Sequence, residues 1–294
     1  MATSDPVKVG VDGSKASIRA ALWAADEAMA RDARLDLVYV VDPSRIDDVD
    51  AAMAAARHAL HRAWQAVTDS GKHVKLETEI LQGDPAIELA DTARHASLIC
   101  VGHKGTNDSS PQPRGATSEA LVRMAPGAVA VVRRRHKRPP TCHRWIVVVL
   151  DESAESHPVL QAALDEAALR EAPLLALTSW STSSPRRTAD DTPPDDIRAT
   201  VDRRLRDTRD GTAAVPVCAL PMPSDVTTIL QQSAGIDQLL VIGAGRTDVI
   251  EQLQEEGARD ALRKTDCSIL IVRAPKPLER RAFGSPTEHR NEKQ

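Results

Sequence analysis

VKVGVDGSKAS at 7–17 and IVVVLDESAES at 146–156 decide the fold, because they show that the chain states one unit twice. From Asp12 and Asp151 the copies align without a gap at a shift of 139, through Glu27/Glu166 and Arg31/Arg170 to Leu35/Leu174. A second matched pair, LICVG at 98–102 and LLVIG at 239–243, ends each time in glycine. Each copy then closes on an apolar run before arginine, VAVVR and ILIVR. The period is too long for a solenoid and reads as two copies of one α/β domain.

Around that frame, strand-like and helix-like stretches alternate. In the first copy, strands are expected at 7–11, 35–41, 74–81, 98–101 and 128–132. Helices are expected at 15–32 (Ile18, Leu22, Trp23, Ala25 and Met29 at helical spacing), 46–68 (Met53, Leu60, Trp64 and Val67 on one face), 84–95 and 115–124. The second copy repeats the order: strands at 146–150, 174–178, 215–220, 238–242 and 268–272, with helices at 156–171, 196–208, 224–234 and about 253–264. Such alternation implies right-handed crossovers and a mostly parallel sheet covered on both faces. The expected domains are 1–138 and 139–274, joined by the basic stretch RRRHKRPP at 133–140, which reads as a solvated connector. A Ser/Thr/Pro/Asp-rich loop at 181–195 and a disordered polar tail at 275–294 complete the reading.

Bulk properties narrow the function classes. The 294 residues suffice for two domains, and net charge is −4, so there is no global attraction to nucleic acid or anionic lipid. Aromatic residues are only 2%, which leaves aliphatic cores and too few stacking platforms for single-stranded nucleic acid. There is no leader and no apolar run of membrane-spanning length, so a cytoplasmic protein is expected. Cys100, Cys142, Cys218 and Cys267 lie far apart, signal neither zinc nor a disulfide framework, and read as reduced thiols. No GxxxxGK[ST], GxSxG or HExxH signature occurs, and His58 with His61 reads as a surface pair.

In a parallel α/β sheet, ligands bind beyond the carboxyl ends of the strands. Gly10-Val11-Asp12-Gly13-Ser14 places a carboxylate and a flexible turn there. Gly102, Gly105 and Gly115, with Thr117 and Ser118 in the following helix turn, could let backbone N–H groups approach a phosphate. His103 and Lys104 lie within that loop and either add positive charge to the ligand or decorate a turn.

VGVDGSKASIRAALWAADEA, QGDPAIELADTA, SLICVGHKG and GATSEALVRMAPGAVAVVR together resemble the universal stress protein family in its tandem form. The resemblance implies two five-stranded parallel α/β sandwiches, Rossmann-like and similar to the adenine nucleotide alpha hydrolases. It also implies ATP binding through G-x2-G-x9-G followed by Ser or Thr. Gly102, Gly105 and Gly115 match that spacing. By the same resemblance Asp12 contacts the ribose or the Mg–phosphate region, and the backbone of Val40 or Val41 reads adenine. Ala116 stands where the family has a hydroxyl residue, Ser118 matches a later serine, and Asp108, Pro111 and Pro113 depart from the usual loop.

In the second copy Glu152 replaces the glycine after Asp151, PMPSD at 221–225 replaces the GDP turn, and Gly243-Ala244-Gly245-Arg246 lacks the second glycine of the motif. Gly257 lies one residue too far on, and Glu251, Glu255 and Glu256 crowd the phosphate position, so that copy is expected to keep the fold and lose the pocket. Three functions follow: an ATP-responsive stress protein acting in hypoxia, starvation or growth arrest, a slow ATPase, or an interaction protein. Homodimers through VAVVR and ILIVR, or an intramolecular pseudo-dimer, are expected from the same resemblance.

Overall fold

In the computed structural model the ten strands form one continuous sheet. The structure describes residues 4–105, 116–133, 145–151, 153, 155–179, 203, 215–222, 228, 237–265 and 267–273. The expected connector from 134 onward, the 181–195 loop, the helices at 196–208 and 224–234, the tail, Cys142 and Gly115 lie outside those residues, apart from single positions at 203 and 228.

The first half supplies β1 (Val7–Gly10), α1 (Lys15–Ala30), β2 (Leu35–Val41), α2 (Val49–Asp69), β3 (Leu76–Gln82), α3 (Pro85–Thr92), β4 (Leu98–Gly102), α4 (Ala116–Met124) and β5 (Val129–Val132). The second supplies β6 (Trp145–Leu150), α5 (Ser156–Leu169), β7 (Leu174–Ser179), β8 (Val217–Met222), β9 (Asp237–Gly243), α6 (Thr247–Gln252), α7 (Glu256–Thr265) and β10 (Ser268–Val272). The helix expected near 253–264 is α7, and a further short helix, α6, precedes it.

Strand order is β3-β2-β1-β4-β5-β10-β9-β6-β7-β8, so each half keeps five parallel strands and its first strand at the centre. The halves meet where β5 and β10 pair antiparallel, with Ala130 opposite Leu270. VAVVR and ILIVR, expected to pair copies of the fold, pair with each other inside one chain. One aliphatic core then runs across the join on each face. Val7, Leu35 and Ala24 share a cluster with Ile146, Leu174 and Leu160 on one face, and Ile99 and Leu121 with Ile242 and Leu262 on the other.

The helix faces match those expected at Ala25, Leu60 and Val67 and differ at Met29 and Trp64. α1 buries Ala16, Ala20, Ala21, Ala24, Ala25 and Ala28, whereas Met29 is 48% exposed. α2 buries Ala56, Ala59, Leu60, Ala63 and Val67 and leaves Trp64 at the edge of the stripe. Alanine faces let a helix lie close to the sheet, and that closeness shapes the site. Among the described residues, no helix is long and apolar enough to cross a membrane.

At the seam, α1 and α5 meet through two buried carboxyls and two partly buried guanidiniums that occupy equivalent positions of the repeat. Arg31 pairs with Glu27, Arg170 pairs with Glu166, and Arg170 also donates to Glu27 at 2.6 Å. Arg31 lies 3.5 Å from Glu166, and the Arg170 guanidinium stands 4.9 Å from the centre of the Trp23 ring. Burial, reinforced by the charge of Glu27, lifts Glu166 to about 8. Burial also opposes ionisation of Glu27, but Arg170 and Arg31 outweigh it and hold that carboxyl below its ordinary range. The cluster therefore carries two cations, one carboxylate and one shared proton at neutral pH.

Candidate functional site

At the tip of β1 the chain makes a tight turn into α1. The Asp12 carboxylate accepts the Ser14 N–H at 2.9 Å, and the Asp12 N–H donates to Ser17 Oγ at 3.3 Å. Ser14 caps α1 by accepting the Ser17 N–H at 3.0 Å, satisfying one of the helix's open donors. Gly13 takes φ +81°, and a β-carbon there would stand 3.3 Å from Ala59. Sterics disfavour that backbone region for side-chain-bearing residues.

The turn after β4 meets this one from the side. A β-carbon on Gly102 would lie 2.8 Å from the Ala16 carbonyl carbon, so the close-packed alanine face of α1 requires glycine there. A β-carbon on Gly105 would lie 3.0 Å from Asp12 Oδ2. Any side chain at Gly105 would crowd the carboxylate. Ser14 Oγ donates to the Lys104 carbonyl at 3.4 Å, joining the two turns. Gly10 is explained by packing, since a β-carbon would press on Leu89 and Val101.

The remaining candidates fall on the same carboxyl edge. Val40 is partly buried, Val41 is buried, and the Val41 carbonyl accepts the Gly83 N–H at 2.9 Å. Ala116 and Thr117 open α4 partly exposed, while Ser118 is buried. Thr117 is therefore the more exposed first-turn hydroxyl. Gly115 lies outside the described residues, as do Asp108, Pro111 and Pro113. His58 and His61 are exposed on α2, and Cys100 and Cys267 are buried thiols, as expected.

Two features escaped the sequence reading. Burial, then the charges of Arg133, Lys104 and Arg19, push His103 down to about 4. The imidazole is thus neutral near pH 7, and its buried Nδ1 has no hydrogen-bond partner among the described residues. Burial and the negative charge of Asp12 raise the hydroxyl of Tyr39, which places the chain's one tyrosine beside the site. Its position at the end of β2, in step with inward-facing Leu35 and Leu37, was the available signal. Among the described residues no group of three or more His, Cys, Asp or Glu side chains could hold a metal ion.

The second half builds the same turns and fills them. Asp151 accepts the Ser153 N–H and the Ser156 hydroxyl, each at 2.8 Å. Arg246 stands where the first half has Gly105. Its guanidinium reaches Asp151 at 3.9 Å and is steadied by Asp248 at 2.8 and 2.9 Å. Burial works against ionisation of Asp151, but the Ser153 and Ser156 hydrogen bonds, with Arg246, keep its carboxyl below the ordinary range. Glu155 lies against Gly245, where a β-carbon would fall 2.3 Å from Glu155 Oε2. The chain then enters α6 directly at Thr247.

Known proteins share this plan. The sequence profile of the Universal stress protein family matches residues 4–133 and again 143–273. A universal stress protein of Mycobacterium tuberculosis is 34% identical over 277 residues, covering 92% of this chain and 97% of that protein. Another from the same organism is 32% identical over 274 residues, covering 90% and 95%. Among solved structures, a universal stress protein from Archaeoglobus fulgidus superposes with a TM-score of 0.67 at 14% identity, covering 93% of this chain and 98% of that one, a likeness of fold. The chain belongs to the universal stress protein family and carries the family's domain twice.

Proposed function

We propose that this protein is an ATP-responsive stress protein of the cytoplasm, with one nucleotide site in its first half and a second half that acts as scaffold. The observation that carries the reading is the contrast at one position of the repeat. Gly105 sets no side chain against Asp12, whereas Arg246 lays a guanidinium toward Asp151. A triphosphate brings several negative charges, and the positive charges of Arg133, Lys104 and Arg19 are felt at His103, inside the loop between Gly102 and Gly105. Thr117 and the N-terminal turn of α4 add a hydroxyl and open backbone donors. Asp12 would face the ribose or the Mg–phosphate group, and the end of β2 at Val40 and Val41 would border adenine. Arg246 already supplies Asp151 with the positive charge that a ligand cation would bring.

Small molecules released from purified protein by denaturation and separated by chromatography test this reading. ATP is expected from the wild type and absent from Asp12→Ala. An empty wild-type protein with no thermal shift at millimolar ATP–Mg would overturn it.

A further inference from the structure

Both helices that begin at the first-half site end against the second half. α1 starts at the Ser14 cap and carries Glu27, with Arg31 at its C-terminal end, into the charge cluster of α5. α4 starts at Ala116, and its last turn is gripped from across the seam. Arg273, at the end of β10, donates to the Val122 carbonyl at 2.8 Å and to the Arg123 carbonyl at 3.4 Å. Arg259 of α7 lies 2.9 Å from Glu119, and Arg123 donates to Gln254 at 2.6 Å.

The last carbonyls of a helix lack intrahelical donors and carry the negative end of its dipole. A guanidinium from the other half therefore supplies what a C-terminal cap would. The nine-residue α4 is about 13 Å long, so a fixed last turn fixes the first. The Arg133 N–H donates to Ser268 Oγ at 3.1 Å, and its charge bears on His103.

We propose that Arg273, assisted by Arg259, is a positioning residue for the first-half pocket, so that docking of the second half and ligand occupancy are coupled through α4. The ligand in this proposal is the nucleotide of the preceding section; the grip itself does not depend on that identification. Coupling of this kind is reciprocal for binding free energies. What the second half does for α4, a ligand on α4 must return to β10.

The test combines calorimetric titration of ATP–Mg with hydrogen exchange on the full chain. Arg273→Ala should bind about tenfold more weakly than wild type, within the usual range of coupling. Arg273→Lys, which keeps a cation at the last turn, should recover most of the loss. Without ligand, exchange across 116–124 should accelerate in Arg273→Ala while β1 and β2 stay unchanged, and ATP–Mg should slow exchange at 268–273 in the wild type. Equal affinity of wild type and Arg273→Ala overturns the coupling. If the wild type binds no ATP, the nucleotide reading falls by itself, and exchange decides the rest: faster α4 exchange upholds the positioning role, and unchanged exchange overturns it.

Discussion

Asp12 and Asp151 show how one neighbour decides what a carboxylate does. Both end the central strand of their half and both accept hydrogen bonds from the turn that follows. Asp151 has Arg246 of the neighbouring turn beside it, and the residue at the same place in the first half, three after the strand-end glycine, is Gly105. Gly105→Arg should therefore reproduce the closed arrangement and weaken ATP–Mg binding at least tenfold, about the worth of one charge-assisted contact. Equilibrium dialysis would read it. His103 supplies a pH prediction. Its ordinary value of 6.5 falls to about 4 in the fold, so between those values the unfolded chain holds the extra proton. The stability that His103 contributes is complete above pH 6.5 and is lost as pH falls toward 4. Urea unfolding at pH 4.5 and 7 should show a smaller difference for His103→Gln than for wild type.

At the scale of elements, the Glu27–Glu166 pair makes an asymmetric prediction from a symmetric arrangement. Glu166 holds a proton at neutral pH, so Glu166→Gln replaces one neutral donor by another and should leave stability nearly unchanged. Glu27→Gln removes the carboxylate that both guanidiniums contact and should cost more than Glu166→Gln, with ionisation of Glu166 offsetting part of the loss. With a folded value of about 8 against an ordinary 4.5, Glu166 binds its proton in the fold and loses it in the unfolded chain across that window. Its contribution is full below 4.5 and is lost as pH rises through 8, at up to about 1.4 kcal/mol per pH unit. Between pH 6.5 and 8 the wild type should weaken as pH rises, and Glu166→Gln should flatten that slope.

Sequence patterns made the element order legible because alternation and the 139-residue repeat are local signals. The repeat even paired Glu27 with Glu166 and Arg31 with Arg170, although nothing in it said that they touch. Helix faces were harder to read. Large residues such as Met29 and Trp64 attract attention, yet the seated positions belong to alanines, which gain from close approach to the sheet rather than from side-chain bulk. In the site, glycine spacing located Gly102 and Gly105. The His103 environment and the Arg246–Asp151 contact depend on side chains brought together from distant segments, which a linear pattern does not record.

For the whole molecule, the antiparallel β5–β10 join and the shared cores make the two copies one folding unit. Thermal unfolding of the wild type should appear as a single cooperative transition by calorimetry. Leu270→Asp buries an unpaired charge opposite Ala130 and should broaden or split that transition as the halves separate. The duplication has left glycine beside the strand-end carboxylate of one half and arginine beside that of the other. The most direct test of that division is the stoichiometry of ATP–Mg binding by isothermal titration calorimetry, with Gly105→Arg and Arg246→Gly as paired variants. One site per chain, lost in Gly105→Arg and kept in Arg246→Gly, is the predicted result; two sites per chain, or one that survives Gly105→Arg, would contradict it.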